Sequence, residues 1–206
     1  MKTIVTILVA ALPLVLPAAR AIDLDGNGLS DVFEYIYFGG PTSPDEDSDG
    51  DGFTNFREMV WGTDPTNPLS YPTGISPSIE GTNLVLRWLA VPGKWYRLEA
   101  SADLRAWQTI DQGHISSHVE PLESSDGSSG VRFWRLGVLA RSPDTDGNGL
   151  DDWEDALWQR TYGKSANQSD LDGDGLVDAQ EFTTGHNPAK KDNPAVGLIV
   201  FTPLEK

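Results

Sequence analysis

Asp170 to Glu181 reads DLDGDGLVDAQE, and the pattern occurs three more times: DLDGNGLSDVFE from Asp23, DSDGDGFTNFRE from Asp47 and DTDGNGLDDWED from Asp144. In each dodecamer, oxygen-bearing side chains fall at positions 1, 3, 5, 9 and 12, with glycine at 6. The spacing suits a hard divalent cation. A calcium loop offers oxygens at positions 1, 3, 5, 7, 9 and 12, turns sharply at 6, and ends on a carboxylate that binds through both oxygens. The candidate side-chain ligands are Asp23, Asp25, Asn27, Asp31 and Glu34 in the first loop, and Asp47, Asp49, Asp51, Asn55 and Glu58 in the second. In the third they are Asp144, Asp146, Asn148, Asp152 and Asp155, and in the fourth Asp170, Asp172, Asp174, Asp178 and Glu181. Gly28, Gly52, Gly149 and Gly175 take position 6, and Leu29, Phe53, Leu150 and Leu176 offer only a backbone carbonyl at position 7.

Seventeen of these twenty side chains are carboxylates, the others being Asn27, Asn55 and Asn148. Packed a few ångströms apart they would repel one another and oppose a compact state, unless cations sit among them. Up to four Ca²⁺ are therefore expected. The third loop should be the weakest or most magnesium-tolerant site, because Asp155 is one methylene short of the bidentate glutamate, unless the neighbouring Glu154 substitutes.

The loops come in two pairs, with starts 24 and 26 residues apart, closed by Asn67-Pro68 and Asn187-Pro188. Such duplication points to a repeated module on either side of something different. After each loop, position 10 is Val32, Phe56, Trp153 or Ala179. Tyr35, Met59, Ala156 and Phe182 lie three residues further on, and Ile36, Val60, Leu157 and Thr183 four further on, which is one helical face. Gly39, Gly62, Gly163 and Gly185 supply the stops. Helices so short are marginal alone, so each pair is expected to bury its faces against its sibling. A leader before Asp23 and a strand-like run before Asp144 leave no helix entering these loops, which excludes a calmodulin-type helix-loop-helix.

Between the pairs, residues 75–140 change periodicity. NLVLRWL at 83–89, KWYRLEA at 94–100, WQTI at 107–110 and VRFWRLGVL at 131–139 are β-rich, with a first strand near Ile79 and a tight connection at Val91-Pro92-Gly93. ESSDGSSG at 123–130 reads as a flexible loop. Trp88, Trp95, Trp107 and Trp134 read as core rather than a sugar-stacking platform. His114 and His118 lack a predicted helix or an acidic third ligand for zinc. There is no GxSxG, HExxH or phosphate loop, so no catalytic residue is assigned.

Residues 1–21 have the apolar run and small-residue ending of a cleaved signal peptide. Removing Lys2 and Arg20 takes the charge from −16 to −18, which four Ca²⁺ would bring to −10. An acidic chain with pI near 4.3 argues against nucleic acid and anionic membrane surfaces as partners. No second apolar stretch is long enough to span a bilayer. The lack of cysteine removes disulfides, thiolate metal sites and thiol nucleophiles. With one methionine, Met59, after processing, no Met-rich groove could serve a calcium sensor. The expected architecture is α+β: loop-helix pairs at 22–70 and 144–190, a small antiparallel β-sandwich-like domain at 75–140, and a tail at 191–206. The tail's VGLIVF run could return as a strand.

The DxDGDGLxDxxE pattern followed by a helix and GTDPTNP at 62–68 resembles bacterial thrombospondin type 3 repeats, and more distantly the EF-hand-like loop-helix units of dockerins. The resemblance covers about residues 23–70 and 144–190. It implies structural calcium sites in secreted or surface proteins, with no catalytic residues to carry over. The apolar residue at loop position 7 rather than 8 departs from the dockerin pattern and argues against cohesin docking. WLAVPGKWYRLEASADLRAWQTI from Trp88 resembles a fibronectin-like β module of secreted bacterial proteins. The expected function is a secreted, cell-surface or periplasmic calcium-binding structural or interaction protein, not an enzyme, whose partner is an extracellular protein or glycan. The alternative is a calcium-dependent carbohydrate-binding or adhesion protein with its ligand site on the β domain.

Overall fold

The computed structural model describes residues 22–113, 117–121, 133–139 and 143–191. The proposed signal peptide, the 123–130 loop, His114 and the VGLIVF tail lie outside them. In chain order the elements are α1 (Asp31–Phe38), α2 (Asn55–Trp61), β1 (Ser76–Glu80), β2 (Asn83–Arg87), β3 (Tyr96–Ser101), β4 (Gln108–Gly113), β5 (Ser117–Pro121), β6 (Phe133–Val138), α3 (Asp152–Tyr162) and α4 (Asp178–Thr184). The chain is α+β.

Every helix begins at loop position 9 and is followed by one of the four predicted stop glycines. Gly39, Gly62, Gly163 and Gly185 have φ between 73° and 79°, and each N–H returns to a carbonyl of the last turn. A side chain would cost roughly 1–2 kcal/mol in that left-handed conformation. At the other end, Ser30 and Thr54 at loop position 8 accept the backbone N–H groups of Phe33 and Arg57. The loop sequence therefore specifies where its helix starts.

The strands form two three-stranded antiparallel sheets, ordered β1-β2-β5 and β4-β3-β6. In β6, Trp134, Leu136 and Val138 are buried and alternate with partly exposed Phe133, Arg135 and Gly137, as the two-residue strand period requires. They pack with Tyr96 and Leu98 of β3 and with Leu84 and Leu86 of β2, so the two sheets share one core. Trp61, the last residue of α2, is inserted into the same core. β5 is not among the strands expected from sequence: its SHVEP has a single β-branched residue between polar neighbours and so carries little strand signal.

The helices bury their faces against siblings, as expected, but also across the duplication. Leu29 and Phe33 of the first repeat join Met59 of α2 and Trp153 and Leu157 of α3 in one cluster. Val32 joins Leu150, Trp158, Ala179 and Phe182 in the other, where Trp158 stacks on Tyr35 at 5.8 Å and meets Phe182 edge-on at 5.3 Å. No single pair owns its core.

The Val91-Pro92-Gly93-Lys94 turn connects β2 in one sheet to β3 in the other and docks on the helices. A Cβ at Gly93, which has φ 79°, would lie 2.3 Å from the Trp153 backbone nitrogen, and one at Gly62 would lie 2.8 Å from Val91. Lys94 is buried, donates to the Met59 carbonyl at 2.8 Å, and lies 3.4 Å from the centre of the Trp153 ring. Among the described residues, no helix is long and apolar enough to cross a membrane.

Candidate metal centres

The four loops close with one set of backbone bonds. The position 9 N–H donates to the carbonyl of the residue just before the loop: Asp31 to Ile22 at 2.6 Å, Asn55 to Glu46 at 2.7 Å, Asp152 to Pro143 at 2.7 Å, and Asp178 to Ser169 at 2.9 Å. The position 1 aspartate accepts the N–H groups of positions 5 and 6, so Asp23 takes Asn27 and Gly28, each at 3.0 Å. Asp47, Asp144 and Asp170 do the same for Asp51 and Gly52, Asn148 and Gly149, and Asp174 and Gly175. Position 3 accepts from the N–H of 5, and position 5 from the N–H of 7, in every loop. Each loop winds its backbone around its own acidic side chains.

That winding needs left-handed backbone twice. Glycines at position 4, which are Gly26, Gly50, Gly147 and Gly173, have φ from 72° to 80°, and those at position 6 from 91° to 102°. The calcium-loop pattern requires glycine only at position 6, but the DxDGxG spelling displays both.

The carboxylates converge in three loops. Oxygens of Asp25, Asp31 and Glu34 lie within 4.8 Å of one another, as do those of Asp47, Asp49 and Asp51, and those of Asp170, Asp172 and Asp174. The third loop has no such trio among the described residues. Asn148 stands at its position 5 and donates to Asp155 Oδ2 at 2.6 Å, while Asp152 takes the Thr145 N–H and hydroxyl. Glu154 does not substitute for Asp155, since its oxygens accept from Ile22 N, Ser30 Oγ and Asp151 N. Position 9 also braces the other loops: Asp31 and Asp178 accept the N–H of loop position 2, at 2.9 and 3.0 Å, and Asn55 donates to the Ser43 carbonyl.

Position 12 is the most sheltered. Glu34, Glu58 and Glu181 are each at most 1% exposed. One oxygen of Glu34 accepts from Asn27 Nδ2 and the Thr42 N–H, and one of Glu58 from the Thr63 hydroxyl. The second oxygens of Glu34 and Glu58 are buried with no hydrogen-bond partner among the described residues. Asp49, Asp51, Asp172 and Asp178 each hold one oxygen in the same condition. A buried, unsatisfied acceptor costs about 1–3 kcal/mol, and more when charged. A hard cation among these oxygens removes that cost, so the donor set fits calcium.

Electrostatics agree. Burial, reinforced by Asp49, pushes the Glu58 carboxyl up to about 7. Loss of water and the repulsion of neighbouring aspartates raise Asp49 and Asp172, while burial is the main cause for Asp31 and Asp155. Carboxyls that resist ionising together are what a divalent ion would relieve.

Residues 47–68 and 170–191 match the bacterial TSP3 repeat family. The matched segments hold the second and fourth loops with their helices and Asn-Pro turns. Asn67 and Asn187 make the same side-chain bond in those turns, each Oδ1 accepting the N–H two residues on. The first and third loops share the closure described above. Comparison with curated proteins and with solved structures gives no match. TSP3 repeats are structural calcium-binding modules, and two of them lie towards opposite ends of this chain.

Proposed function

We propose that this is a secreted, non-enzymatic structural or interaction protein that binds up to four Ca²⁺ through the twenty side chains named above, and that the ions hold its fold together. The observation that carries the reading is the pair of buried position 12 glutamates, Glu34 and Glu58, each with a sheltered oxygen that has no protein partner among the described residues. The two TSP3 matches support calcium as the ion, and they support an extracellular or cell-surface setting. Isothermal titration of chelator-treated protein tests it. Calcium should bind in preference to magnesium, and Glu34→Gln or Glu58→Gln should each remove or weaken one step. Absence of binding would overturn the reading.

A glycan-binding role for the β domain would need an exposed aromatic platform. Trp88 and Trp134 lie in the sandwich core; Trp95 and Trp107, against expectation, are half-buried outside it, but the Arg135 guanidinium covers Trp107 at 4.3 Å, so we favour the structural role. A glycan array with and without EDTA separates the two.

A further inference from the structure

The first and third loops start 121 residues apart in sequence, yet each is completed by the other's helix. Leu29, at position 7 of the first loop, packs with Trp153 and Leu157 of α3, and Leu150, at position 7 of the third, packs with Val32 and Ile36 of α1. Both leucines are at most 1% exposed. The exchange is reciprocal, position for position.

One carboxylate ties the pair. Glu154 Oε1 accepts from Ile22 N at 3.3 Å and from Ser30 Oγ at 2.5 Å, and Oε2 accepts from Asp151 N at 2.8 Å. Ile22 directly precedes the first loop and its carbonyl closes that loop on Asp31, while Ser30 caps α1. Asp151 is the N-cap of α3, inside the third loop. The carboxylate of Glu154, itself fully buried, therefore holds both ends of the first loop and the exit of the third. In the fourth loop Val177 stands where Ser30 stands, with no side-chain oxygen to be held in this way.

Resting on the calcium reading above, we infer that the first and third loops form a coupled pair: calcium bound at either one raises the affinity of the other, with Glu154 as the positioning residue between them. An empty calcium loop must order its two ends when it binds its ion. Here that ordering sets the shared seam of α1 and α3, so the second ion meets a partner already in place. The coupling is reciprocal by linkage, and values of 5- to 150-fold are typical.

The test follows the amides of Gly28, Gly149 and Gly175, each of which donates to the position 1 carboxylate of its own loop and so reports that loop's occupancy. Calcium chloride is titrated into chelator-stripped full-length protein while these resonances are followed by NMR. Glu34→Gln should weaken the Gly149 transition at least about fivefold, and Asp144→Asn should weaken the Gly28 transition by a similar factor. Glu154→Gln should bring the Gly28 and Gly149 transitions to independence, and Glu154→Asp should restore part of the coupling. If the glutamine variant does not fold, the reciprocal pair of ligand variants still decides the matter. Gly28 and Gly149 transitions that ignore the opposite loop's variant would overturn the coupling and leave calcium binding standing. Glycine resonances that do not respond to calcium at all would overturn the calcium reading itself.

Discussion

Position 12 separates the third loop from the rest. Glu34, Glu58 and Glu181 are buried, whereas Asp155 is shorter and is held by Asn148 and, more loosely, by the Ala166 N–H at 3.4 Å. We expect the third site to be the weakest and the fourth, with five carboxylates, the tightest. Asp155→Glu should tighten the weakest calorimetric step, and Glu181→Gln should weaken the tightest by about tenfold or more, which is about 1.4 kcal/mol. If neither variant moves a step, the ligand assignment is wrong. A second residue-scale expectation concerns Gly93. Gly93→Ala combines a left-handed backbone with a Cβ placed within 2.5 Å of the Trp153 and Asp152 backbone, so neither chain can give way cheaply. It should lower stability by roughly 3 kcal/mol or more in urea unfolding with calcium present. At this scale the loop pattern was legible, because its closing hydrogen bonds and its left-handed glycines follow from residue type and spacing. The roles of Gly93, Lys94 and Glu154 were not, because each depends on a surface that sequence neighbours do not supply.

Among the elements, the helices were readable to the residue at their C-terminal ends, since only glycine suits the left-handed cap. The strands were readable where apolar residues alternate, as in β3 and β6, and lost in β5. What the sequence could not disclose is which helix meets which: an amphipathic face states that it will be buried, not against what. The turn joining β2 and β3 makes an elemental prediction, because Lys94 links the sandwich to the helices. Burial depresses the Lys94 ammonium to about 7, against the opposing pull of Glu154 and Asp151. Burial likewise raises Glu154 to about 8, partly offset by the Ser30 and Asp151 hydrogen bonds. A lysine with a lowered folded pKa binds fewer protons folded than unfolded, so its contribution to stability grows as pH rises from about 7 towards the ordinary lysine value near 10.4. Glu154 acts oppositely, its contribution fading as pH rises to about 8. Above pH 8 the lysine acts without that opposition, and calcium-loaded protein should gain stability between about pH 8 and 9, below the range where Tyr35, Tyr37, Tyr96 and Tyr162, whose raised pKa values act in the opposite sense, begin to titrate. Lys94→Met should flatten that rise in denaturant titrations, and an equal rise in the variant would remove Lys94 as its source.

For the whole molecule, the duplicated ends are not beads on either side of a domain. Two helical clusters draw on both repeats, and α2 extends Trp61 into the sandwich core, so acidic loops, helices and sheets share their packing. Leu29→Ala tests that sharing: a buried leucine truncation costs about 2–5 kcal/mol, and here one cooperative transition should shift as a unit. A split transition, with the sandwich unmoved, would show the helical body to be separate. The α+β class and the repeats at both ends were legible from composition and period. The closure between ends was not, since it joins residues more than a hundred positions apart. The central claim, that calcium is part of the fold, is met most directly by unfolding the protein in urea with saturating calcium and again in excess EDTA. At about 100 times its dissociation constant each independent site should add roughly 2.7 kcal/mol, so the calcium curve should lie far above the other. Superimposable curves would contradict the account.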